Sequence, residues 1–459
     1  MIYGELIYDG HPCQFTLKNR LLEIVRSDIE MGGICIEYLE NYLRPKKMEK
    51  QWIVGKCYPK GNKILFLISN MWGVKNTVRY QDVDFYIEFI AELESIDHIE
   101  IRSPELNAIY PALMGVDHFE YDDQFLPCNI LLRKDTETEH FDFVFDDIGI
   151  QGYFCINKKI SLENTAIPVE FETLLCFEFE STDDYDFIMK LVNISMRYIR
   201  FACYRNNIAV NKITLRNMES KIEIANIELL KNVKHTLDEE KIVLWKRCIT
   251  YDMIASRIGN LFQKISDDEI YTLHVPENHN EMKIITPARI LLLTAAFEWE
   301  FDKLFNGQEI KSQKRVEACD KAEKRIEALV NESQGEERKI YKFLKGMVRC
   351  DKLEERIRVV CKQYDSLFGI FCKQMHMFAG EALNYNEMAE RIAKIRNKLA
   401  HGMIDMEIDP HVFNDIICMP DIILTMQLIR LDVEKQKIKC ILNRLFQHNI
   451  YLEEKDTDE

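Results

Sequence analysis

The eight residues Ile395-Arg396-Asn397-Lys398-Leu399-Ala400-His401-Gly402 decide how the C-terminal part of this chain is read. Ile392, Ile395, Leu399 and Met403 recur at helical spacing and form one apolar stripe, which predicts a helix packed against neighbours. Gly402 is its expected C-terminal stop. Asn397 and His401, four residues apart, share the opposite side. Arg396 lies on the flank, roughly 140° from His401 at about 100° per residue. A guanidinium, a carboxamide and an imidazole at one helix end can together bind a phosphate and move a proton. One straight helix does not aim Arg396 and His401 at a single atom. Either the helix loosens at Gly402, or a second copy completes the site across a two-fold axis. Spacing alone is weak evidence. With eleven histidines, about half an R-x4-H match is expected by chance. The plainer reading makes Arg396 a surface ion-pair partner and His401 a cation suited to the helix end.

Around this stretch the chain reads as helix after helix. Thr286-Pro287 opens one, with a hydroxyl at the cap and proline in the first turn, and Asn306-Gly307 closes it. Further helices are expected over 313–332, 336–350, 353–377 and 386–401, with a last stretch from 411 to 448 that Pro420 breaks or kinks. The prediction is an all-α bundle of five or six helices.

The N-terminal part has a different period. Ile34–Tyr38, Trp52–Gly55, Ile64–Ile68, Phe85–Ile90, Phe141–Phe145 and Phe171–Phe179 are short runs of branched and aromatic residues, several alternating with period two. Lys60-Gly61-Asn62-Lys63 reads as a hairpin turn, and Met31-Gly32-Gly33 as another turn. A helix is expected over 185–204, extended segments near 208–215 and 222–230, and a second helix from about 239 to 265. The fold class is therefore α+β and multidomain: a β-rich region of antiparallel sheets over 1–280, of one or two subdomains (about 1–180 and 181–280), then a helical bundle over 284–450. The boundary lies in the polar, proline-bearing stretch from Ser266 to Asn280, and residues 451–459 form an acidic tail.

Composition bounds the function. The net charge of −16 argues against a protein that coats nucleic acid non-specifically. From residue 281 onward the chain holds 29 Lys+Arg and 31 Asp+Glu, which leaves 31 and 45 before it. The acidic burden thus lies away from Arg396 and His401. Fourteen cysteines, without a C-x-x-C pair, read as reduced thiols. No export signal and no uninterrupted apolar run of about 20 residues is evident, so the expected location is the cytoplasm, without a membrane partner.

RNA suits the motif chemically. Its 2′-hydroxyl is an internal nucleophile absent from DNA. Histidine can take that proton or protonate the leaving 5′-oxygen, and arginine's fork fits the charge growing on phosphorus. Asn397 would orient the imidazole or hold a phosphate oxygen, while Lys394 and Lys398 would contact the RNA backbone.

Arg396-Asn397-Lys398-Leu399-Ala400-His401-Gly402, on a late helix of an α-bundle, resembles the R-x4–6-H signature of HEPN domains. Joined to a long β-rich N-terminal region, it is similar to the Apea-like HEPN proteins of bacterial abortive infection and phage defence. The resemblance implies a HEPN bundle over about 284–450 and metal-independent endoribonuclease activity without a cofactor. It also implies 2′,3′-cyclic-phosphate ends, a homodimer, an RNA target such as tRNA, and a phage-derived trigger. Arg396 and His401 match the catalytic pair and Asn397 the polar residue between them. The alternative is a non-catalytic HEPN scaffold that binds RNA or a protein partner.

Other residues invite plainer readings. His274, Glu277 and His279 resemble a partial metal set, but a polar linker is the better expectation. Cys372 and His376 read as a core thiol beside a partly buried histidine. Glu298 and Glu300 could face the active cleft, but a solvated helix face is the better expectation.

Overall fold

The computed structural model describes residues 1–8, 10–26, 51–68, 71–75, 78–92, 95–121, 123, 127–160, 169–220, 222–230, 246–306, 313–348, 352–403 and 408–452. The strand expected over 34–38, the turn at 31–33, the first part of the helix expected over 239–265 and most of the acidic tail lie outside these residues. The chain divides into two compact units: 1–203 with 207–266, and 204–206 with 267–459.

Among the described residues, fourteen strands of the first unit form a single sheet: β1 (Ile2–Tyr8), β2 (His11–Lys18), β3 (Leu21–Arg26), β4 (Gln51–Cys57), β5 (Lys63–Ile68), β6 (Met71–Lys75), β7 (Val78–Asp82), β8 (Phe85–Phe89), β9 (Ile96–Arg102), β12 (Phe141–Phe145), β13 (Ile148–Ile160), β14 (Val169–Thr182), β15 (Lys212–Asn217) and β16 (Ile222–Leu229). Their order is β12-β13-β14-β9-β15-β16-β8-β5-β4-β1-β2-β3-β7-β6, and β10 (Val116–Tyr121) pairs with β11 (Pro127–Leu132) apart from it. Every recorded pairing is antiparallel. The expected division near residue 180 does not occur, because β15 pairs with β9 and β16 pairs with β8. Long-range pairing binds residues on both sides of that position into one sheet.

Alternation explains the packing. Gly4, Leu6 and Tyr8 of β1 are buried between exposed neighbours, and Cys13, Phe15 and Leu17 of β2 repeat the pattern. Gly4 is required by close approach: a Cβ there would stand 1.9 Å from the Lys56 carbonyl oxygen. The β12–β13 hairpin turns through Asp146 and Asp147, both at positive φ, as a two-residue loop of this twist needs. Helices α1 (Tyr185–Cys203) and α2 (Ile258–Ser266) complete the core, where the Phe262 ring meets Phe141, Phe143, Phe177 and Tyr198 at 4.7–5.5 Å. The helix expected up to residue 265 is instead several pieces, Tyr251–Ile254, a 3-10 turn at Ala255–Arg257, and α2.

The second unit holds seven α-helices among its described residues: α3 (Pro287–Leu304), α4 (Gln313–Glu332), α5 (Gly335–Val348), α6 (Leu353–Phe378), α7 (Tyr385–Ala400), α8 (Pro410–Arg430) and α9 (Lys435–Leu445). The Thr286 hydroxyl accepts from the Arg289 amide at 3.2 Å and caps α3. Pro420 does not break α8, which runs through it with Ile416, Met419, Ile422, Ile423 and Leu424 all buried. Packing on all sides offsets the roughly 3 kcal/mol that proline costs a helix interior. The stop comes later, at Asp432 with φ 55°. The α8 helix is long and apolar enough to cross a bilayer, but 78 % of its most apolar window is buried inside the protein. The unit begins at Asp267, ahead of the expected start near 284, because His274 and Val275 are core residues here.

Candidate functional site

Helix α7 presents the motif. Ile392, Ile395 and Leu399 are buried, so the stripe packs as expected, but Met403 is exposed because the helix has ended before it. The end is a Schellman motif. Met403 N–H donates to the Lys398 carbonyl at 3.1 Å and Gly402 N–H to Leu399 at 3.0 Å, with Gly402 at φ 83°. A left-handed position favours glycine. His401 is the C-cap residue and its side chain is exposed, as are Lys394, Asn397 and Lys398.

Arg396 is half-buried and doubly engaged. Its Nη2 meets Glu298 Oε2 of α3 at 3.0 Å, and its Nη1 donates to Asn397 Oδ1 at 3.2 Å. The structure therefore brings Arg396 and Asn397 together and adds Glu298, while α7 stays helical through Ala400. Arg396 and His401 leave it about 140° apart. By that angle, the helix alone does not aim both side chains at one point.

The expectation of a solvated face fails for Glu300 and holds only in part for Glu298, whose side chain is 30 % exposed and paired with Arg396. Glu300 is fully buried and accepts from Tyr271 N at 3.1 Å, Gln427 Nε2 at 2.9 Å and Arg430 Nη1 at 2.5 Å. Burial pushes its carboxyl up, and Gln427 and Arg430 oppose that shift. A signal for this was available: residues two apart on a helix point roughly 200° apart, so the two glutamates could not share one solvated face.

Beneath the motif, Asp415 of α8 ties three helices together. Arg391 of α7 donates to it from Nε at 2.7 Å and Nη2 at 3.0 Å, and His376 Nε2 of α6 lies 3.1 Å away. His376 Nδ1 faces the Cys372 carbonyl at 2.9 Å. With an acceptor at each nitrogen, the ring is an imidazolium. The hydrogen bond to Asp415 raises its pKa to about 10. His376 is thus a fully buried cation rather than a partly buried neighbour of Cys372. This network fixes α7 five residues before Arg396.

The buried charge of His376 makes the stability of the helical unit pH-dependent. Because the folded pKa stands above the ordinary value of about 6.5, the stabilisation is complete below about pH 6.5. It declines as pH rises and is gone above about pH 10. Urea unfolding of the helical unit at pH 6.5 and 9.5 should show lower stability at the higher pH, with a smaller difference in His376→Gln. An equal difference in both proteins would assign the effect elsewhere.

Of the metal candidates, His274 and His279 are core residues rather than part of a polar linker, while Glu277 is exposed. His274 is buried, stacks on Tyr271 and meets Tyr204 edge-on. Burial, then the charge of Arg289, push its pKa down to about 3, which leaves the ring neutral. No group of three or more His, Cys, Asp or Glu side chains suited to a metal occurs among the described residues. The cysteines recorded there are free thiols, nine of them buried.

Comparison of the chain with protein-family models, curated proteins and solved structures finds no match.

Proposed function

We propose that the helical unit is a HEPN-type endoribonuclease, the effector part of an anti-phage abortive-infection protein whose β-rich unit senses or regulates. The observation that carries the reading is the exposed end of α7, where Arg396, Asn397 and His401 stand on a helix anchored from below by Asp415. In the proposed step the ribose 2′-oxygen bonds to phosphorus and the 5′-oxygen leaves. His401 handles the proton and Arg396 stabilises the added negative charge. The products are a 2′,3′-cyclic phosphate and a 5′-hydroxyl. No metal or cofactor takes part, and Lys394 and Lys398 hold the RNA backbone, tRNA being one candidate.

The 140° divergence favours a composite site in a homodimer, in which one copy's Arg396 works with the other's His401. Engagement of Arg396 by Glu298 suits a nuclease that rests until a phage-derived trigger acts. The acidic 1–280 region, which the chain's charge distribution sets apart from the motif, would help keep RNA away.

Mixing tests the composite site. Arg396→Ala and His401→Ala proteins should each be inactive, and unfolding and refolding them together should restore RNA cleavage. Failure of the mixture, with both variants folded and dimeric, would place each site within one chain.

A further inference from the structure

Helix α5 is amphipathic, yet none of its residues is buried. Ile340, Phe343, Leu344 and Met347 recur at i, i+3, i+4 and i+7, and all are exposed, Phe343 by 67 %. The helix meets α4 along another flank, where Lys345 pairs with Glu327. The helix is also basic beyond its first turn. Residues 338–348 contain Arg338, Lys339, Lys342 and Lys345 and no acid, in a chain whose net charge is −16. Lys339 is engaged by Glu336 at 2.6 Å. Among the described residues, no carboxylate pairs with Arg338 or Lys342. These two are four apart and lie on one side of the helix, with Lys339 between their row and the Phe343 ring.

We infer that this outward face of α5 binds single-stranded RNA, with phosphates on Arg338 and Lys342 and a base on Phe343. An unpartnered basic row attracts a polyanion, and an exposed aromatic side chain about 100° round the helix from Lys342 offers a stacking platform to a strand that wraps the helix. A second copy of the chain is a poor occupant. Two-fold pairing of α5 would bring the basic residues of both copies together, with only Glu336 and Glu337 at the helix start to offset them. The choice of RNA over an anionic membrane rests on the ribonuclease reading, and this face would hold substrate away from the α7 motif.

The test uses the full chain carrying His401→Ala, so that RNA survives, and a fluorescein-labelled 20-nucleotide single-stranded RNA of mixed sequence followed by anisotropy. Adding Arg338→Glu and Lys342→Glu together should weaken binding at least tenfold. It should also flatten the log–log salt dependence by about 1.4, at about 0.7 for each phosphate of a single strand that is no longer neutralised. Phe343→Ala should weaken binding several-fold. Four results would overturn the inference. They are no RNA binding by the parent, unchanged affinity in these variants, loss of binding to phosphatidylserine vesicles at unchanged RNA affinity, and a changed oligomeric state as the sole effect of Phe343→Ala. Cleavage abolished by His401→Ala with normal RNA binding by the α5 variants would sink this inference alone. A chain that never cleaves RNA, but binds it through α5, would sink the ribonuclease reading alone.

Discussion

His401→Ala should lower RNA cleavage by about 10²–10⁴-fold, the range of a positioned acid–base group, while leaving the fold intact. Stability is spared because of what His401 does in the helix. Its backbone N–H closes α7 onto the Asn397 and Lys398 carbonyls, and alanine retains that amide. The imidazole itself is exposed, so its removal opens no cavity. Gly402, which supplies the left-handed turn, is untouched. Cleavage assays on RNA, paired with urea unfolding, check both halves. Wild-type cleavage by a folded variant would remove His401 from the chemistry.

Asp415→Ala should destabilise the helical unit by about 3–5 kcal/mol, the cost of removing one partner from a buried ion pair. The carboxylate is fully buried between two cations, Arg391 and His376. Without it, Arg391 keeps only Glu387, at 3.4 Å, the buried His376 loses its carboxylate, and a cavity remains where three helices meet. His376 would lose the hydrogen bond that raises its pKa, so the pH dependence of stability between about 6.5 and 10 should shrink as well. Urea titration of the variant beside the wild type reads both effects. A loss below about 1 kcal/mol would show that α6, α7 and α8 do not depend on this network.

The helical half was legible because local signals agreed with tertiary packing. Thr286-Pro287, the stripe of Ile392, Ile395 and Leu399, and Gly402 each act within a turn or two of chain. Pro420 misled because its local cost is outweighed by burial along α8, a property of neighbours that a propensity does not contain. The single sheet was not legible, since antiparallel strands announce themselves one at a time. That β15 and β16 pair with β9 and β8 is long-range information. Strand β13 is long, but Gly149, Gly152, Asn157, Lys158 and Lys159 blur its alternation. At the motif, spacing placed Arg396, Asn397 and His401 on one helix. Glu298 could be named as able to face the cleft, but its pairing with Arg396, 98 residues away in sequence, needed the fold. Asp415 was equally hidden, as an aspartate within an apolar helix whose partners lie on two others.

The proposed activity is RNA cleavage by 2′-hydroxyl attack using Arg396 and His401. The most direct test incubates purified wild-type and His401→Ala protein with total RNA in EDTA and maps the chemistry of every new end. New 2′,3′-cyclic phosphates and 5′-hydroxyls with the wild type, absent with His401→Ala, are the predicted result. New ends carrying 5′-phosphates, or the same ends from both proteins, would contradict it.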